Sequence, residues 1–337
     1  MRYYTILTIV LILGIFASTQ VMGQTTGDFR TLSPGGAWSD TSIWETYNGA
    51  SWVAASNPPT SADGSILVSD SVLVTGNLQI DELTIGATGM LWIMSNAATI
   101  LNGNGTDLTI NGELILNGNL TFNNSVTVGG TGTLINNDTL NVFDGITISS
   151  NIRNNGYLLF NGITAFNGHL TTDVNSIFDI MSGANHRYAF LTFAHGFTNH
   201  GLLRMAGYRD NWGNPITASL TITSDSLLNA NDGTIQTILG HGADRVITGQ
   251  VNNEGSIIVD HVLTLNKTDV AHTNKGTINI NGSYMIVSGD TTTFTNDSTI
   301  ALATDKYLEV KNGSMLVPAN GSISGMVKIT NAKLGSG

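Results

Sequence analysis

The densest gathering of side chains able to do chemistry is ANHRYAFLTFAHGFTNHGLLRMAGYRDNWGNP, residues 184–215. It contains His186, His195 and His200, with His169 just upstream, and also Arg187, Arg204, Arg209, Tyr188, Tyr208, Asp210 and Trp212. Tyr208, Arg209, Asp210 and Trp212 form a candidate ligand patch. Their rings offer stacking surfaces, and the charged pair offers the bidentate hydrogen bonds with which a glycan is gripped. The histidines show neither HxH nor HxxxH spacing, so no zinc site is expected. NANDG, Asn229–Gly233, has the outline of a Ca²⁺ loop but lacks most of the acidic ligands, and reads as a turn. Asp173 and Asp179, six residues apart, are the carboxylates best spaced to act as a dyad. Aspartates are equally expected at turns, so no catalytic residue is assigned. The G-x-G stretches interrupt strand patterns and open no helix, which removes a phosphate loop. No cofactor and no metal are expected.

Composition narrows the partners. Thirteen Lys and Arg against 24 Asp and Glu leave a net charge of −11. That balance argues against nucleic acid and anionic membranes. Charged residues are only 11% of the chain, and its polarity comes from Asn, Thr, Ser and Gly, with 36 Asn beside 39 Gly. There is no cysteine, so neither disulfides nor thiolate metal sites stabilise the fold. Arg2 followed by YYTILTIVLILGIFAS and a small residue, Gly23, has the layout of a secretory signal peptide over 1–23. The run is shorter than the roughly 20 residues a spanning helix needs. A secreted or cell-surface chain, with no membrane insertion after cleavage, is therefore expected.

The elements that position these residues are set by two rhythms. A phrase of Asn, one polar residue, Gly or Ser and alternating aliphatics recurs with its small residue at Gly201, Gly233, Gly255, Gly276 and Ser298. The Asn two places earlier is Asn199, Asn231, Asn253, Asn274 or Asn296. A faster step of six residues runs through Leu108, Leu114, Leu120 and Val126, and through Ile110, Leu116, Phe122 and Val128. Leu140, Ile146, Ile152 and Leu158 resume it. Each unit has two inward aliphatics around one outward polar residue, followed by an Asn-Gly type of turn. Strands this short need stacking to persist, and a fixed period near 20 residues marks a solenoid. The expected fold is all-β, a parallel β-helix of about a dozen coils over 66–337. Right-handed winding is expected, since parallel crossovers are overwhelmingly right-handed. Asn and Gly would serve the corners through left-handed backbone, and stacked Asn side chains would hydrogen-bond from coil to coil.

Residues 24–65 differ. Trp38, Trp44 and Trp52 lie there, with Pro58-Pro59 after them. An open solenoid end exposes strand edges and core, so this segment is expected to be an N-terminal cap. A sugar-binding role for the tryptophans is the competing expectation. Trp38-Ser39-Asp40, Trp44, Pro58-Pro59, Asp63 and the strand pairs near Val72–Val74 and Leu83–Ile85 carry a resemblance. The segment resembles the opening of secreted bacterial β-helix surface proteins exported by the type IX route. It is also similar to the start of the eight-glycine domain that precedes extracellular β-helices. That resemblance implies a stalk-like or adhesin-like surface protein and transfers no catalytic residue. GMVKITNAKLGSG stops in mid-repeat without a sorting domain, which predicts a longer parent protein. The alternative class is an enzyme, because polysaccharide lyases and pectin-type hydrolases resemble this architecture. Glycans or molecules on a neighbouring cell surface are the expected partners.

Overall fold

The structure is a computed structural model that describes residues 23–94, 98–103, 105–182, 188–209, 213–238, 240 and 242–335. The apolar leader falls outside the described residues except for Gly23. The body of the chain is a parallel β-solenoid of about eleven turns, close to the dozen read from the repeat.

A coil consists of three short strands, such as Ile146–Ile148, Asn151–Asn154 and Tyr157–Phe160. Each lies parallel to its counterpart one coil on, with Ile146 beside Thr164, Ile152 beside Leu170 and Leu158 beside Phe178. Three stacked faces result. The first runs from Ile66–Val68 to Met326–Thr330, the second from Ser71–Val74 to Lys333–Leu334, and the third from Leu78–Ile80 to Ser322–Ser324. The third face is a separate sheet of twelve strands, whereas the first two share a sheet of 28 with the cap. They merge because Ala218–Asn229 and Arg245–Asn253 pass from the first face to the second without leaving strand pairing.

The aliphatic residues of the six-residue step all point inward. Leu108, Leu114, Leu120, Val126, Ile110, Leu116, Phe122 and Val128 are buried, as are Leu140, Ile146, Ile152 and Leu158. Phenylalanines thicken this core in the middle coils, where Phe166 and Phe193 pack edge to face at 4.7 Å.

The recurring Asn sits at the buried corner between the second and third faces. Asn199 donates to Asn229 at 2.8 Å, Asn229 to Asn253, Asn253 to Asn274 and Asn274 to Asn296, each at 2.7 Å. A shorter run joins Asn136 to Asn154 at 2.7 Å. The same amides also donate to main-chain oxygens, for example those of Ser256 and Thr234. Two expectations change here. The ladder member in the NANDG coil is Asn229, and Asn231 is exposed, because two extra residues are accommodated before Gly233. The glycines of the phrase at this corner are required by close approach, whereas left-handed backbone serves other turns, as at Gly130 (φ 97°) and Gly145 (φ 75°). A Cβ on Gly276 would sit 2.0 Å from the Gly255 oxygen, and one on Gly255 2.2 Å from those of Ala230 and Gly233.

The lead-in builds four strands: β1 (Phe29–Thr31), β2 (Gly35–Ala37), β3 (Trp44–Tyr47) and β4 (Trp52–Ala54). β1 pairs in parallel with Ile66–Val68 and antiparallel with β3, while β2 pairs in parallel with Ser71–Val74. Trp44 is wholly buried and Trp38 nearly so, their rings 4.9 Å apart and edge to face. Both indoles are satisfied, Trp44 Nε1 by the Trp38 oxygen at 2.9 Å and Trp38 Nε1 by the Pro59 oxygen at 3.2 Å. Trp52 is half-buried beneath the Arg30 guanidinium, 4.4 Å from its ring centre.

Candidate functional site

The chemistry-bearing residues gather where the regular coil is interrupted, after the third-face strand Leu202–Ala206. The chain leaves the coil at Gly207 and returns at Ile216, whose N–H bonds the Tyr208 oxygen at 2.8 Å. Arg209 and Pro215 form the bridge that closes the excursion. Tyr208 is 41% exposed at its base, and its N–H donates to Ser182 Oγ at 2.8 Å. Arg209 Nη1 donates to the Gly213 oxygen at 3.3 Å, within the same loop. Asp210 and Trp212, the other half of the expected patch, lie outside the described residues, as do His186 and Arg187.

Below this loop the third face carries a cluster that crosses four coils. Leu159, Asp179, Arg204 and Gln236 occupy one outward column, and Tyr157 lies beside it. Asp179 has no exposed surface although it points away from the core. Arg204 covers it with two parallel bonds, Nε to Oδ1 and Nη2 to Oδ2, both 2.6 Å. This fork is the strong bidentate form of the ion pair. The bond that it donates to Asp179 holds the Arg204 guanidinium above its ordinary pKa. Burial pushes the Tyr157 phenol up to about 12, helped by the Asp179 charge and a hydrogen bond to it. A phenol raised this far keeps its proton near pH 7. Neither the phenol nor the guanidinium is poised as a base near pH 7. The arrangement seals a charge against the sheet and leaves the rest of Arg204, 28% exposed along its side chain, facing solvent.

Asp173 is not part of this cluster. It stands at the preceding corner, where its Oδ1 accepts from the Asn175 N–H at 3.5 Å. The two carboxylates considered as a dyad therefore have separate partners. The histidines are also dispersed. His169 and His195 stack at 4.7 Å along the second face, and His200 Nδ1 lies 2.9 Å from Asp232 Oδ1. Among the described residues no three His, Asp or Glu converge as a metal site.

One residue was missed altogether. Arg245 is fully buried and occupies the inward column between Ala218 and Leu263. Its guanidinium bonds the oxygens of Ala243, Ile238 at 3.1 Å and Gly207 at 3.4 Å, tying together the interruptions of two successive coils. Burial lowers its pKa to about 10, and Asp244 works in the opposite direction. The signal was a lone Arg at an aliphatic position of the strand pattern RVITG.

A concave surface lies elsewhere, between the cap and the first coils. It is an open cleft of about 660 Å³ bordered by Trp38, Pro59, Val74, Asn77, Gln79 and Thr99, among others. No family model matches this chain, and neither a curated protein nor a solved structure matches it.

Proposed function

We propose that this chain is an extracellular, non-catalytic β-solenoid, exported by its N-terminal leader and serving as a rigid stalk or adhesin-like spacer at a cell surface. The observation that carries the reading is the unbroken interior. One cluster of buried side chains extends from Phe29 in the cap to Leu316 near the last coil, with the Asn ladder beside it. Twelve strands stacked on the third face, about 4.8 Å apart, make a rod on the order of 50 Å long. Such a body resists bending because each coil is hydrogen-bonded to the next along every face. The Asp179–Arg204–Tyr157 cluster supports the non-catalytic reading, since its charges are spent on one another.

Expression of the chain with its own leader in a diderm bacterium tests the proposal. Mass spectrometry of the mature N-terminus and protease accessibility on intact cells are expected to show removal of the leader and surface exposure. Beads coated with the chain are expected to bind cells while releasing no product from a panel of polysaccharides. Retention in the cytoplasm, or release of unsaturated or reducing sugar ends, would overturn it.

A further inference from the structure

The cleft between cap and rod has an apolar floor and an uncharged polar rim. We infer that it is a binding site for a neutral oligosaccharide. Its floor is apolar and fixed: Trp38, Pro59, Val74 and Leu78 are buried there. The indole of Trp38 is held by the Pro59 oxygen and its main-chain N–H by the Leu73 oxygen at 2.8 Å, so the cap wall and the rod wall cannot drift apart. Sugar C–H faces pack on such a surface.

The rim consists of hydroxyls and amides. Ser39, Thr75, Asn77 and Gln79 are exposed, Thr99 is half-buried, and among the described residues none of them makes a side-chain hydrogen bond. They are free to bond sugar hydroxyls, which both donate and accept. Among the described residues no charged one lines the cleft, in a chain whose net charge is −11. Two carboxylates of the cap adjoin its lining in the chain, and both are occupied: Asp40 accepts from the N–H and hydroxyl of Ser42, and Asp63 from the N–H and hydroxyl of Thr60. An anionic or cationic ligand would thus be desolvated without a counter-charge, which is costly. A neutral polyhydroxylated ligand meets no such penalty.

The cleft also has a direction. Gln79 pairs in register with Thr99, Thr99 with Thr121 and Thr121 with Asn141, so its polar wall continues along the third face as a column of hydroxyls and amides. A linear chain seated in the cleft can extend onto that column. The volume falls within the range of small-molecule sites. This site is separate from the loop at Tyr208 and Arg209, and the inference does not depend on where the chain is exported.

The test uses the purified full chain and isothermal titration with neutral gluco-, xylo-, manno- and chito-hexaoses, beside a uronic-acid hexamer and a proline-rich peptide. Binding of at least one neutral hexaose is expected, insensitive to salt. The double variant Asn77→Ala/Gln79→Ala is expected to bind at least tenfold more weakly with an unchanged melting temperature. Thr99→Trp, which fills the groove, is expected to abolish binding, and Asn137→Ala, at an exposed position outside the cleft, to leave it intact. Absence of binding by every neutral hexaose at millimolar concentration would overturn the inference. So would affinity unaffected by the double variant, or preferred binding of the uronic acid or the peptide.

Discussion

Asn253 accepts a hydrogen bond from Asn229 and donates one to Asn274, all three buried. Replacing it with Ala leaves the buried Asn274 Oδ1 without a partner, at about 1–3 kcal/mol, and removes the bond to the Thr277 oxygen. Asn253→Ala is therefore expected to lose about 3 kcal/mol in urea unfolding. Asn137→Ala, in an exposed amide pair with Asn117 and Asn155, is expected to change stability by less than about 0.5 kcal/mol. Thr172 offers the converse case. It occupies the ladder position between Asn154 and Asn199, and Asn199 Oδ1 is buried there without a partner. Thr172→Asn is expected to join the two runs and stabilise by about 1 kcal/mol in the same measurement. His272 gives a pH signature. It is buried beside Phe294, and the Val251 N–H donates to its Nδ1 at 3.1 Å. Burial, and then the charge of Lys267, lower its pKa to about 4 from 6.5. Between those values the unfolded chain binds the extra proton. The stabilisation is complete above pH 6.5 and is lost as pH falls towards 4, by about 3 kcal/mol. His272→Phe is expected to flatten that part of the stability–pH curve.

At the scale of the strand, Ile278 and Ile280 are fully buried and Asn279 faces outward between them. Ile280→Asp places an unpaired carboxylate in the core and is expected to cost several kcal/mol, seen as a large fall in melting temperature. A fall of only a degree or two would mean that the alternation is wrong. This alternation was legible in the sequence because neighbours in the chain decide it. Leu114 and Leu116 point inward whatever lies in the next coil. The corner phrase was legible for a related reason, since every coil repeats the same contact between an Asn and its stacked counterpart. Contacts between residues without a repeat were not legible. Asp179 meets Arg204 across 25 residues, and only the register of their two coils shows that they share a column. Arg245 was overlooked because its partners are main-chain oxygens, which carry no mark in the sequence. The slip from Asn229 to Asn231 has the same root: an inserted pair of residues shifts the letters without moving the buried amide.

For the whole molecule, the first coil depends on the cap. β1 and β2 occupy the hydrogen-bonding edges of Ile66–Val68 and Ser71–Val74, and Trp38 and Trp44 close the core beneath them. Deleting residues 24–65 frees both edges and uncovers Val68, Val72 and Val74, now buried. Light scattering is expected to show association of the shortened chain by strand pairing, and a monodisperse monomer would mean that the lead-in does not protect that end. The Asn ladder gives the same rod a second property. Each amide from Asn199 to Asn274 donates to the amide of the later coil, and each from Asn229 to Asn296 accepts from that of the earlier one. The unpartnered oxygens of Asn136 and Asn199 stand at the heads of the two runs. Dipoles aligned head to tail add, as peptide dipoles do in a helix, and each polarises the next. The solenoid thus has an electrical polarity parallel to its chain direction, partially negative at the head of each run and partially positive at the tail. Every coil added to a run strengthens the bonds of the coils already there.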